Sequence, residues 1–342
     1  MDFSILKTLT SLPGISGRES AVRQYVQQQV APYADDVKTD PLGNLIVYKK
    51  GSSSKNLLLA AHMDEVGLMV HYVGADGFLR FVVVGGIDPR TLLAQRVTVH
   101  TAGGPLAGVI GTRPAHVTTE ADRGKAVPVK DLFIDVGLSG AEAQTRVQPG
   151  DFVTLRREYE EFGSGFITAK SLDNRSGVFV LLEFLKEIKN PFYNIYAVFT
   201  VQEEVGLRGA VTAAYGVEAD VALAVDTTGA ADIPGTSPQD YITALGQGVG
   251  VTALDARTIT HEGLFESLKR LCLEKQIRYQ VRIAPRGGND AGAIHLSKTG
   301  VACCALSIPT RYIHSNTEVQ FKEDIEQTLA LVLAVAQTDL AL

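Results

Sequence analysis

Residues 57–64 read LLLAAHMD, an unbroken apolar run closed by His62 and, two positions later, by Asp64. A run of this kind, with no polar alternation, reads as a strand buried on both faces of a parallel sheet. In such sheets ligands bind beyond the carboxyl ends of the strands, where His62 and Asp64 fall. Other runs close the same way. IYAVFTVQEE (195–204) ends in Glu203 and Glu204, VALAVD (221–226) ends in Asp226, and CCALSIPTRYIH (303–314) leads to His314. Asp173, in KSLDNRSG (170–177), opens the helix that precedes the 194–201 strand.

Around these runs, helix and strand alternate. Phe3, Leu6 and Leu9 set a helical period over 2–12, and Ser16 with Glu19 predicts a capping box opening a second helix through about Val30. Further helices are expected over 177–189, 261–276, 290–297 and from 322. NLIVY (44–48), residues 219–226, YQVRIAP (279–285) and VACCALSIP (301–309) read as strands. Alternation of this kind predicts an α/β fold, a mainly parallel sheet sandwiched by helices. The texture changes between 69 and 162, where short β-rich runs such as FLRFVVV and QRVTVHT are separated by Gly, Pro and Asp. The reading is a small inserted all-β barrel or sandwich at 69–162, interrupting one α/β domain made of 1–68 and 163–342.

Composition narrows the function classes. Of 342 residues, 45% are hydrophobic and 20% charged, which excludes a disordered chain. Lys and Arg number 32 against 38 Asp and Glu, and no basic stretch occurs, so nucleic acid is not an expected partner. The most apolar segment, TLALVLAVAQ (328–337), falls far short of the ~20 residues of a membrane span. MDFSILKTLTSLPG lacks the pattern of a signal peptide, so the expected location is cytoplasmic. Cys272, Cys303 and Cys304 are too few and badly spaced for a disulfide framework or a thiolate zinc site, and read as small core residues.

The rim thus gathers two imidazoles (His62, His314) and five carboxylates (Asp64, Asp173, Glu203, Glu204, Asp226). Adjacent acids such as Glu203 and Glu204 repel in a low-dielectric rim unless a cation or shared proton lies between them. Oxygen and imidazole donors without thiolate suit zinc, cobalt or manganese. Charge balance sets the number of ions. Two divalent cations are neutralised by Asp173, Glu204, Asp226 and one hydroxide, whereas a single ion leaves an anionic site. Glu203 remains free as a general base, the arrangement of a two-metal hydrolase. Asp64, two residues from His62 on an extended chain, faces the same side and fits the carboxylate that orients a liganding imidazole. His71, His100, His116, His261 and His295, lying outside this rim, read as surface or structural residues.

AAHMDEVG (60–67), SLDNRSG (171–177), VQEEVGLRGA (201–210), AVDTT (224–228), GGNDAGAIHLSKTG (287–300) and SIPTRYIHSNTE (307–318) together resemble the glutamyl-aminopeptidase family of dinuclear metalloaminopeptidases. Its members include deblocking and tetrahedral aminopeptidases, some of them labelled endoglucanases. IGTRPAH (110–116) and DLFIDVG (131–137) extend the resemblance into the insert. The resemblance implies a zinc-peptidase-like fold with a PDZ-like dimerisation insert, dodecameric self-association, and removal of N-terminal residues from short peptides. It implies that His62 and Asp226 hold one metal ion, Glu204 and His314 the other, and Asp173 bridges them. It further implies Glu203 as general base, Asp64 supporting His62, and a cis peptide at Asp173–Asn174. Asn289 and the residues after His314 depart from the family pattern and bear on specificity.

Other readings stay open on the residues alone. A carboxypeptidase or deacylase uses the same donor set. A glycoside hydrolase needs two carboxylates but no histidine or metal, and it favours aromatic platforms, whereas this chain has no Trp and 7% aromatics. GQGVG (246–250) has the wrong spacing for a dinucleotide loop and reads as a turn before a strand. Substrate preference is expected from loops 229–240, 246–255 and 309–318. Arg311, beside His314, reads first as a structural arginine and second as a partner for an acidic substrate side chain.

Overall fold

A computed structural model of the protein describes residues 1–117, 125–340 and 342; positions 118–124 of the 69–162 segment lie outside the described residues. The main sheet has eight strands: β1 (Asp36–Thr39), β2 (Leu45–Lys49), β3 (Asn56–His62), β12 (Asn194–Thr200), β13 (Val221–Gly229), β14 (Val249–Asp255), β15 (Tyr279–Ala284) and β16 (Ala302–Thr310). Their order is β1-β2-β12-β3-β13-β16-β14-β15. The central four, β12, β3, β13 and β16, run parallel, while β2 and β14 join them antiparallel. The fold is therefore a mixed α/β sheet with a parallel centre.

Side-chain alternation explains why both faces are covered. Leu57, Leu59 and Ala61 of β3 join one core with Val221, Leu223 and Val225 of β13, against α1 (Phe3–Ser11), α2 (Ser20–Val30), α4 (Leu172–Glu187), α6 (Glu262–Glu274) and α8 (Lys322–Ala336). Leu58 and Ala60 point the other way, with Ala222, Ala224 and Ala305, against α5 (Arg208–Gly216) and α7 (Ala291–Ile294). The second face is rich in alanine on both sides, which lets α5 lie close to the sheet.

The insert is a closed antiparallel barrel of β4 (Gly67–Val73), β5 (Phe78–Val84), β6 (Arg96–Thr101), β7 (Gly104–Gly111), β8 (Phe133–Asp135) and β9 (Phe152–Leu155), in the order β4-β5-β8-β7-β6-β9. It has its own apolar core around Leu68, Val97, Ile110 and Ile134, and a helix α3 (Gly140–Arg146). Its first and last strands pair at Leu68↔Val153, so the chain enters and leaves side by side. A small sheet of β10 (Glu160–Phe162), β11 (Phe166–Ala169) and β17 (Glu318–Phe321) follows the barrel. Among the described residues no helix is long and apolar enough to cross a membrane.

One local expectation fails. Ser16 and Glu19 form no capping box; α2 begins at Ser20 without a side-chain cap. The Ser16 hydroxyl instead donates to Asp64 Oδ2 at 2.6 Å, and Glu19 Oε1 accepts the N–H groups of Gly17 and Gln202. A hydroxyl bonded to an ionised carboxylate makes a stronger hydrogen bond than one capping a neutral backbone N–H, so Ser16 goes to Asp64. The three cysteines are free and buried, in keeping with core residues.

Candidate metal centre

Sheet register brings the strand-end residues level. Thr200 of β12 pairs with His62 of β3, and the β3–β13 register reaches Ala60↔Ala224, so two residues further Asp226 comes beside His62. His62 Nε2 lies 3.2 Å from Asp173 Oδ1 and 3.4 Å from Asp226 Oδ1. On the far side, His314 Nε2 lies 3.3 Å from Asp173 Oδ2 and 3.4 Å from Glu204 Oε2. Asp173 is thus flanked by two imidazoles, one for each carboxylate oxygen. It sits just before the regular part of α4, where Asp173 and Asn174 have non-helical backbone angles and the bond between them is cis. Asn174 Nδ2 donates to Val225 O at 2.9 Å, tying this turn to the end of β13.

His62, Asp173, Glu203, Glu204, Asp226 and His314 line one cavity of about 600 Å³. Asp64 lies behind His62, wholly buried. The His62 Nδ1 faces the Asp64 backbone carbonyl at 3.1 Å and its Oδ1 at 3.5 Å, so Nδ1 carries a hydrogen and Nε2 faces the cavity. Burial opposes the Asp64 charge. Hydrogen bonds from His62, Ser16 and the Glu203 N–H outweigh it and hold this carboxyl below its usual range.

Around the rest of the site the buried acids crowd one another. Burial foremost, reinforced by Asp173, pushes the Glu204 carboxyl up to about 8, and burial holds Glu203 well above the ordinary carboxylate range. Burial works against a charged His314, yet Asp173 and Glu204 lift it to about 10; against the same burial, Asp226 and Asp173 raise His62. Crowded acids that hold on to protons, beside imidazoles that do the same, are the electrostatic signature of a cation site. Glu204 Oε1 is buried without any hydrogen-bond partner. Among the described residues, His62–Asp173–Asp226 and Asp173–Glu204–His314 each bring donor atoms within 4.8 Å of one another. Imidazole nitrogen and carboxylate oxygen, an orphaned acceptor and a shared aspartate all fit divalent metal ions.

The family model of M42 glutamyl aminopeptidase matches residues 43–331. The chain belongs to this family. It is a metal-dependent aminopeptidase, a peptide hydrolase. A putative aminopeptidase of Acetivibrio thermocellus is 38% identical over 332 residues, 97% of each chain. Among solved structures, an aminopeptidase from the archaeon Desulfurococcus kamchatkensis is 40% identical with a TM-score of 0.94, covering 98% of this chain and 94% of that one. A Pyrococcus horikoshii TET1 peptidase, described as assembling into a tetrahedron or a large octahedral shell, is 35% identical with a TM-score of 0.88, covering 98% of each.

The aminopeptidase also holds residues that sequence reasoning does not single out. Glu318, buried on β17, accepts the Asp173 N–H through Oε2 and the His314 N–H through Oε1, both at 2.9 Å. Asp290, also buried, accepts the Thr200 hydroxyl at 2.5 Å, and burial pushes it up to about 7. Four residues from His314, Glu318 is visible in the sequence only as a charge opening a short strand. Arg311 pairs bidentately with Asp232, Nε–Oδ1 at 2.8 Å and Nη2–Oδ2 at 2.6 Å, and so braces the 229–240 loop against the 309–318 loop.

Proposed function

We propose that this aminopeptidase works with two divalent ions per chain, zinc first and cobalt or manganese as substitutes, with Asp173 bridging them. His62 and Asp226 would hold one ion, Glu204 and His314 the other. The observation that carries this reading is the pair of contacts from Asp173, Oδ1 toward His62 and Oδ2 toward His314. When bound, such ions supply a Lewis acid that acidifies water and polarises the scissile carbonyl.

Glu203 takes a proton from the attacking water and delivers it to the leaving amine. Its burial supports this role, because a carboxyl held above its ordinary range takes up a proton more readily. Asp64 fixes the His62 ring and, through its bonds to the Glu203 and Glu204 N–H groups, the start of the loop that carries the base. The free amine of a short peptide enters the acidic side of the cavity, so N-terminal residues are removed.

The inserted barrel, read as a PDZ-like dimerisation module, supports self-association into a dimer-based homododecamer. Its separate core and adjacent chain ends are the anatomy of an insertion that leaves the catalytic sheet intact. Excising the 69–162 insert with a short linker should lower particle mass by light scattering while metal binding remains; an unchanged mass places the interfaces elsewhere. For the chemistry, free and N-acetylated peptides are compared on zinc- or cobalt-loaded enzyme. Cleavage confined to free N-termini and stopped by chelator is expected. Equal cleavage of acetylated peptides, or release from the C-terminus, turns the reading to a deacylase or carboxypeptidase.

A further inference from the structure

The ligands of the two proposed ions differ in what surrounds them. His62 and Asp226 lie in strands β3 and β13 of the main sheet and are buried there. Glu204 and His314 stand on loops, and the His314 side chain is 36% exposed against 2% for His62. The His314 backbone has a φ of +60°, with Tyr312 at +59°. A residue with a side chain keeps this left-handed conformation only when its surroundings impose it.

The inserted barrel supplies part of those surroundings. Gly85 and Gly86 follow β5, and together they meet both ligands of this ion. A Cβ at Gly86 would lie 3.3 Å from His314 Nδ1 and 3.6 Å from its Cε1. One at Gly85 would lie 3.3 Å from Glu204 Cβ and 2.9 Å from Val66 Cγ1. Without a side chain, Gly86 lets the barrel backbone lie against the imidazole. Asp64 lies behind the Nδ1 of His62, and Gly86 lies behind that of His314. Two residues past His314, Asn316 is 6% exposed, and its Nδ2 donates to Gln95 Oε1 at 2.6 Å and to the Arg156 carbonyl at 3.3 Å. Gln95 precedes β6 and Arg156 follows β9, so one buried amide ties the His314 loop to two strand ends of the barrel.

We propose that the inserted barrel positions the His314 imidazole, with Gly86 backing the ring and the Gln95–Asn316 bond fixing the loop that carries it. The proposal rests on the two-ion reading and deepens it: the ion of Glu204 and His314 depends on the insert, and the ion of His62 and Asp226 depends on the sheet. Gly86, Gln95 and Asn316 are positioning residues that act through His314. Without the insert, the His62–Asp226 ion should stay bound while the other loosens.

Metal-loaded enzyme is titrated with a chromophoric chelator, and His314→Ala marks the step that belongs to its ion. Gly86 has a φ outside the left-handed region, so its backbone accepts a side chain. In Gly86→Ala and Gly86→Val, affinity in the marked step should fall about ten- to a hundredfold, with the other step unchanged. Asn316→Ala and Gln95→Ala should act on the same step. Gln95→Glu, which keeps an oxygen for the Asn316 amide, should restore it. Gly103→Ala, in the β6–β7 turn, is the control: the nearest atom to its Cβ would lie 3.8 Å away, and neither step should change. Turnover does not decide the matter, because Gly86 lines the cavity and a side chain there also narrows it. Crystal structures of the metal-free native and Gly86→Val enzymes are the second readout. The His314 ring should move away from Gly86 while His62 stays in place.

Equal losses in both steps, or a lower Tm of the metal-free variants with both steps unchanged, overturns the proposal and reduces these residues to packing of the barrel. If the native enzyme binds one ion and His314→Ala keeps it, the two-ion reading fails, and a displaced ring in Gly86→Val still supports the positioning role. If two ions bind but neither the ring nor its step responds to the variants, the positioning role fails and the two-ion reading stands.

Discussion

Asp64 holds the backbone of Glu203: its Oδ1 accepts the Glu203 N–H at 3.0 Å, across 139 residues of sequence. The same carboxylate accepts the Ser16 hydroxyl and the Glu204 N–H and faces His62. Asp64→Asn keeps one acceptor and turns the other into a donor pointed at existing donors. Metal affinity should fall roughly 10–100-fold, measured by competition with a chromophoric chelator. Unchanged affinity would remove Asp64 as the residue that orients His62.

Glu203→Gln tests the base. The carboxamide is nearly the same size but cannot take a proton from water. Both ions should remain by elemental analysis while kcat falls ~10²–10⁴-fold. Loss of metal in this variant would make Glu203 a ligand instead and reverse its role with that of Glu204.

Metal removal should cost stability, because the acids around Asp173 are left facing one another. At a hundredfold excess over the dissociation constant, a bound ion stabilises the fold by about 2.7 kcal/mol. Chelator should therefore lower Tm by several degrees, and added zinc should restore it. Asp173→Ala should lose both ions and respond to neither treatment. Two ions per chain in that variant would contradict a bridging aspartate.

What is legible in the sequence depends on how local each signal is. His62 and Asp226 close long buried runs, so strand period and the position of ligands beyond parallel strand ends bring them together. Helix and strand alternation likewise points to the layered α/β fold. Ser16 mimics a helix cap because its real partner, Asp64, lies 48 residues away and competes with the local N–H groups. Arg311 has its counter-charge 79 residues off, in a loop with no periodicity. Closure of the barrel depends on the pairing of β4 with β9, strands separated by the whole insert. Long-range partners of single polar groups leave no period in the chain, and only the folded arrangement reveals them.

Glu318 is the sharpest of these, and it yields the last prediction. Its two oxygens accept one N–H from Asp173 and one from His314, so a single buried carboxylate sets the distance between the proposed bridge and a ligand of one ion. In Glu318→Gln one of those N–H groups meets an amide donor. Loss of a hydrogen bond to a charged acceptor costs about 1.5–3 kcal/mol, and here it falls unequally. The His314 side depends on the anchors of both His314 and Asp173, whereas the His62 side is affected through Asp173 alone. A two-step chelator titration should show the weaker ion released much earlier than in the native enzyme, with a smaller shift in the tighter step. Asp at this position, with its shorter reach, should relax the same step while keeping the charge. Equal shifts in both steps, or a lower Tm of the metal-free protein with both steps unchanged, would reduce Glu318 to a packing residue of β17.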